Sequence, residues 1–321
     1  MTSSWDLDGT APTPAPAKPR HRRRIPAWAI GLLALIVVGA GLGVWWASSR
    51  GPDARDVAEQ YLAALEEGDV SALRRVTGAS IEDPAIQAFA QASSYVADAT
   101  LEGVQTSGDR ATARASVTLG GETHTFESPM ERSDGVWRMG DVITVTAEPS
   151  IGDTVAIGEL SFAAGEPIRL YPAQYELTSL PGEVLDGSAT VTALPGADPA
   201  AVEVPQTFVD EAQEVVQERL AAHAEECAAA TDAIPEACGI VVPWPADLRE
   251  FRGVAFTIDH LPWVEIDTEA MTFAATGGSL TAAVTGIAHD GSEETFTYRA
   301  DDWTLRGTME VADGRLVLSV F

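Results

Sequence analysis

The sequence predicts an α+β protein carried behind a single N-terminal transmembrane helix. Three observations carry that reading. An uncharged stretch, Pro26 to Ala47, follows a basic block. Apolar residues then recur at helical spacing from Val57 towards Tyr95. From Ala99 the period changes to two and holds to the C-terminus, with one helical interruption over residues 205–230.

Residues 1–25 form a cytoplasmic tail. Met1–Ala17 is polar and rich in Pro, Ala and Thr, a composition that buries no core. Lys18, Arg20, Arg22, Arg23 and Arg24 then make a basic block. Residues 26–47 read as a membrane-spanning signal-anchor, since about 20 apolar residues cross about 30 Å of hydrocarbon. Trp28 and Trp45–Trp46 bracket the run, where interfacial aromatics belong. A cleaved signal peptide is the competing reading. It calls for a shorter apolar region with an A-x-A-like end, and this run is longer and closes on Trp–Trp. Basic residues on its N-terminal flank place that flank in the cytoplasm and everything from about Ser48 outside.

Charge divides the same way. The chain of 321 residues carries 48 acidic and 20 basic side chains, a net charge of −28. All but Asp6 and Asp8 of the acidic residues follow Ser48. Such a surface repels phosphate, which argues against a nucleic-acid partner. Lys18 is the one lysine, so the exported part has none for Schiff-base, Ser–Lys or phosphate-loop chemistry. There is no asparagine, hence no N-glycosylation acceptor.

The first exported domain is expected over residues 48–148. Val57, Tyr61, Leu62 and Leu65 define a first helix, stopped by Gly68. Val70–Val76 is a second and Pro84–Tyr95 a third. Strands follow in LEGVQ, RATARASVTLGG, ETHTFESPMERS and GVWRMGDVITVT, with turns at Ser107–Asp109, Gly120–Gly121 and Asp134–Gly135. Residues 149–321 are expected to be a β-rich domain with one amphipathic helix over 205–230. On that helix Phe208, Ala212, Val215, Val216 and Leu220 oppose Asp210, Glu211, Glu214 and Glu218. Pro243–Trp244–Pro245 marks a rigid loop, and strands run from Arg252 to Phe321.

The string VAEQYLAALEEGDVSALRRVTG resembles the opening of nuclear-transport-factor-2-like domains, the cystatin-like cone fold, in which a first helix ends in a "GD" turn. GDRATARASVTLGGETHTF and MERSDGVWRMGDV resemble that family's closing strands. The resemblance covers about residues 53–147. It implies a curved sheet able to enclose a pocket, for which Tyr61, Tyr95, His124 and Trp137 are the candidate lining residues, with packed core as the competing role. No family catalytic residue maps onto this chain. Helix followed by meander in the C-terminal half fits either a second cystatin-like unit or a plain β-rich domain.

Elsewhere chemistry is sparse. Cys227 and Cys238, eleven apart with Pro235 between them, read as a structural disulfide in an oxidising compartment. Their spacing fits neither a redox C-x-x-C nor a zinc site. His223 precedes Glu225, Glu226 and Cys227, but ligation through that cysteine requires a thiolate. Glu265, Asp267 and Glu269 alternate, as for a calcium site, for a carboxylate pair doing acid/base work or for the wet face of an edge strand. The expectation is therefore a non-enzymatic, membrane-anchored extracytoplasmic scaffold in the cell envelope. It has no cofactor, metal or catalytic residue, and its partner is another envelope protein. A small-ligand carrier or a cone-type isomerase or dehydratase is the alternative. Similarity to cone domains behind a single span in penicillin-binding and secretion-scaffold proteins implies the scaffold role.

Overall fold

The computed structural model describes residues 52–140, 142–196 and 200–321. Helix starts are set by short acidic side chains. The Asp53 carboxylate accepts the Asp56 N–H at 2.9 Å, and the Asp56 carboxylate accepts the Asp53 N–H at 3.1 Å. This reciprocal pair satisfies donors that a helix start leaves bare. The helix α1 (Ala54–Glu67) then closes at Gly68, whose φ of 65° suits a glycine. Asp69 caps α2 (Val70–Thr77), and Asp83 caps α3 (Pro84–Ala90) ahead of Pro84. The third helix stops five residues short of Tyr95, because Ser93 and Ser94 turn away to bond the Gln174 backbone.

The meander follows as predicted. β1 (Ala97–Ser107), β2 (Arg110–Leu119), β3 (Glu122–Ser133) and β4 (Val136–Met139) pair antiparallel in chain order. Gly120–Gly121 and Asp134–Gly135 all take positive φ, as two-residue hairpin turns require. Register places Ala113, Ala115 and Val117 of β2 opposite Ser128, Phe126 and His124 of β3. Val57, Tyr61 and Leu65 of α1 are buried with this face.

Beyond Met139 the sequence reading and the structure part. GVWRMGDVITVT does not form one strand. β5 (Ile143–Pro149) leaves the meander and lies between β8 (Ile168–Leu170) and β12 (Ala200–Val204), parallel to the latter. A third sheet takes the order β11 (Ser188–Ala193), β9 (Ala173–Ser179), β6 (Thr154–Ile157), β7 (Leu160–Ala163). The hydrophobic core does not part at residue 148: one cluster runs from Ala54 to Val204. Phe89 packs on Tyr95 at 5.1 Å and edge-on to Tyr171 at 6.3 Å, joining α3 to the segment after β8.

The late helix starts at Ala212. Phe208, which fits the helical pattern, lies instead in β13 (Thr207–Phe208), paired with β10 (Leu185–Asp186). α4 (Ala212–Ala228) buries Ala212, Val216, Leu220, Ala224 and Cys227, one stripe at spacings of four and three. A single 3-10 turn, Trp244–Ala246, occupies the Pro–Trp–Pro loop. β14 (Leu248–His260), β15 (Trp263–Asp267), β16 (Thr272–Ala288), β17 (Glu293–Ala312) and β18 (Arg315–Val320) complete the chain. The alternating runs MTFAA and LTAAVTGIAHD, which read as two strands, merge into β16, and EETFTYRA and WTLRGTMEVA merge into β17. Gly277 and Gly278 break the period without ending β16, because they form a register shift opposite Trp303. β15 pairs with residues 272–276 of β16, and β14 with residues 279–288.

These rearrangements overturn the α+β class. The expected architecture, one transmembrane helix, a nuclear-transport-factor-2-like cone and a β-rich domain, gives way to a mostly β fold, with 52% strand and 18% helix in four helices among the described residues. Strand length is the cause: β16 and β17 alone hold 17 and 20 residues. The span expected at Pro26–Ala47 lies outside the described residues. Among those described, no helix is long and apolar enough to cross a membrane.

Candidate interaction surface

The four residues expected to line a pocket do not share one. Tyr61 is fully buried on α1. It touches a gap bounded by Leu101, Ala115 and Phe126 that leaves no room for a water molecule. The Tyr95 hydroxyl donates to the Phe89 carbonyl at 3.3 Å. His124 sits half-buried in β3, opposite Val117. Trp137 is buried in β4, with the Arg132 guanidinium 6.0 Å from its ring centre. The space behind the helices is thus filled by side chains. Burial pushes the phenols of Tyr171 and Tyr175 up, and the Tyr175 hydroxyl donates to the Tyr171 carbonyl at 2.8 Å. Both serve packing.

Cys227 and Cys238 lie at disulfide distance, with 6.0 Å between their Cα atoms. His223 approaches them: its Nε2 lies 3.6 Å from Cys227 Sγ and 3.1 Å from the Ala237 carbonyl. The three side chains have the proximity of a metal cluster. A disulfide offers no thiolate, so the cross-link and ligation exclude one another. Of the alternating carboxylates, Glu265 and Asp267 are exposed on β15, while Glu269 lies beyond it. Asp267 accepts the Glu269 and Ala270 N–H groups at 3.1 and 2.9 Å, closing the turn after the strand.

The disulfide does position something. It holds the segment Gly239–Pro243 beside Leu280, Ala282 and Thr297–Ala300 of the last sheet. The Trp303 indole N–H donates to the Cys238 carbonyl at 2.8 Å from below. Between that segment and residues Thr297–Ala300 of β17 runs a groove of about 310 Å³, floored by Leu280, Ala282 and Trp303. Val241 stands 89% exposed on its rim. Within the groove, the Tyr298 hydroxyl donates to Asp247 at 2.8 Å. Burial first, and then this bond to a carboxylate, push the phenol up to about 12.

One wall of the groove is an open sheet edge. β18 pairs only with Gly307–Ala312 of β17. Residues 293–300 have β16 on one side and no strand on the other among the described residues. Their backbone groups can hydrogen-bond an added strand. The alternation in EETFTYRA announces this strand in the sequence. Its lack of a neighbour depends on where β18 ends, which local patterning does not encode. No protein family, curated protein or solved structure matches the chain.

Proposed function

We propose that the chain is a membrane-anchored, extracytoplasmic scaffold in the cell envelope that holds a partner polypeptide along its last sheet. The observation that carries this reading is the groove between the open edge of β17 and the disulfide-held Gly239–Pro243 segment. An extended peptide there gains main-chain hydrogen bonds from the edge and apolar contact from Leu280, Ala282 and Trp303. The filled interior around Tyr61 favours surface recognition over a ligand held behind the helices. A disulfide suits an oxidising compartment. Anchoring rests on the sequence, through the basic block and the apolar stretch Pro26–Ala47.

The test is photo-cross-linking of the full chain in its own membranes. Amine-reactive reagents miss the exported part, because the chain's one lysine, Lys18, precedes the apolar stretch. A photoreactive residue at Val241, and separately at Thr297, is expected to capture the same envelope protein. The exposed control position Glu166 should capture none of it. Equal capture at all three positions, or none at Val241 and Thr297, overturns the reading.

A further inference from the structure

We infer that this surface also takes a second copy of the chain, joined antiparallel through residues 293–300 of β17. The inference rests on the reading of that edge as a docking surface and names one occupant for it. β17 is covered by β18 only from Gly307 onwards, so Glu293–Ala300 is open to a strand. Its odd-numbered residues Glu293, Thr295, Thr297 and Arg299 are all exposed, whereas Phe296 and Tyr298 are half-buried on the other face.

Symmetry restricts the register. Two antiparallel copies of one strand meet about a two-fold axis normal to the sheet. That axis keeps each face on its own side, so directly opposed residues must share parity, and the register must centre on a residue. Centred on Phe296, the seam sets Glu293 against Arg299 twice and Thr295 against Thr297 twice on the outer face. On the inner face Glu294 meets Tyr298, and Phe296 meets its counterpart. Centring on Thr295 leaves Arg299 facing Gly291. Centring on Thr297 sets Glu293 against Asp301, two like charges. Among registers centred on residues 294–299, the one centred on Phe296 alone sets opposite charges against each other, and it also pairs threonine with threonine and phenylalanine with phenylalanine.

Glu293 has no basic partner among the described residues, while Arg299 keeps its side chain 58% exposed although it contacts Asp301 at 2.7 Å and Asp259 at 3.9 Å. A guanidinium has five donors, so these two contacts leave others for Glu293 of the second copy. The acidic surface opposes self-association at long range. Two attractive pairs at the seam therefore decide whether the edge closes.

Cysteine placement on the full chain tests the register. The two native cysteines are joined to one another, so an introduced thiol is the only free one. Directly opposed residues in an antiparallel pair lie about 4.5–5.5 Å apart, within disulfide reach. F296C is expected to oxidise to a covalent dimer. T295C and T297C, both on the exposed face, should each give none alone and a dimer when mixed. R299E should reduce dimer yield about tenfold, since two attractions become repulsions. Adding E293R to R299E should restore it.

Three results overturn the inference: a wild-type chain that sediments as a monomer at every concentration, equal cross-linking by T295C, T297C and F296C, or no recovery in the charge-swapped double variant. Photo-capture at Val241 of a different protein, by a chain that does not self-pair, sinks this inference and leaves the scaffold reading standing. Loss of both capture and dimer sinks both.

Discussion

Trp303 donates its indole N–H to the carbonyl of Cys238 at 2.8 Å, and both residues are buried. This bond ties the disulfide loop to the floor of the groove. Separating Cys227 and Cys238 as serines should cost about 2–3 kcal/mol, the loop entropy of a short cross-link. W303F keeps most of the packing but leaves a buried carbonyl unpaired, at about 1–3 kcal/mol. Urea unfolding measures both. Hydrogen exchange should show residues 239–243 opening in each variant while the core around Tyr61 stays protected. Unchanged exchange at 239–243 would mean that the cross-link does not position the groove.

Alkaline pH should weaken the fold through its phenols. Burial raises Tyr171 and Tyr175 above their ordinary 10.0, and burial with the Asp247 bond raises Tyr298 to about 12. A raised phenol favours the neutral form in the folded state. Its contribution is therefore complete below pH 10.0 and is lost as pH rises through the folded value. Tyrosine absorbance near 295 nm, followed together with circular dichroism, reads this directly. The late part of the titration should coincide with loss of structure. An absorbance change complete by about pH 11 with the circular dichroism unchanged would contradict the burial of these rings.

Filling behind the helices makes a complementary prediction. Tyr61 is fully buried, and the gap it touches admits no water. Y61A should cost about 3–5 kcal/mol, as large-to-small changes in packed cores do. It should also create a cavity that takes up a small apolar probe such as benzene, detectable as a rise in melting temperature with probe. The wild-type chain should show no such shift. A shift in wild type would restore the small-ligand reading.

Local elements were well written in the sequence. Gly68 stops the first helix and Pro84 opens the third, as expected, while the Asp53, Asp69 and Asp83 caps that start the three helices are a signal the reading did not use. The Gly120–Gly121 and Asp134–Gly135 turns hold the hairpins where alternation placed them. What failed was inference across breaks in the pattern. Gly140 ended a strand that looked continuous, and Gly277–Gly278 did not end one that looked interrupted. A glycine permits a break or a bulge, and its neighbours in space choose between them. Phe208 has helical spacing, yet it pairs in β13 because β10 lies alongside. The candidate pocket residues fared likewise. Aromatic side chains in a helix-and-meander unit line a cavity or fill it, and spacing alone does not distinguish the two. The cysteine pair was legible because eleven residues and a compartment argument suffice. The groove above it joins residues some sixty positions apart, so no local signal could have shown it.

Glycine chemistry supplies a last test, at two strand positions that the sequence treats alike. At Gly286 in β16, a methyl group would meet the Glu250 carbonyl oxygen of β14 and lie 2.9 Å from Leu248 Cδ1. The β14–β16 pairing is already irregular there, with register shifts on either side of Glu250 and Phe251. The backbone cannot retreat without opening the cluster around Leu248, Val254 and Val284. G286A should therefore cost about 1–3 kcal/mol, the usual penalty of overpacking. At Gly103 in β1, nothing lies within 4 Å of an added Cβ. G103A there removes unfolded-chain entropy without strain and should stabilise by about 0.4–1 kcal/mol. Urea midpoints at unchanged slope separate the two. Equal effects at both sites would mean that β14 does not press on β16 as closely as the structure has it, and that the distal sheet is a looser frame for the groove.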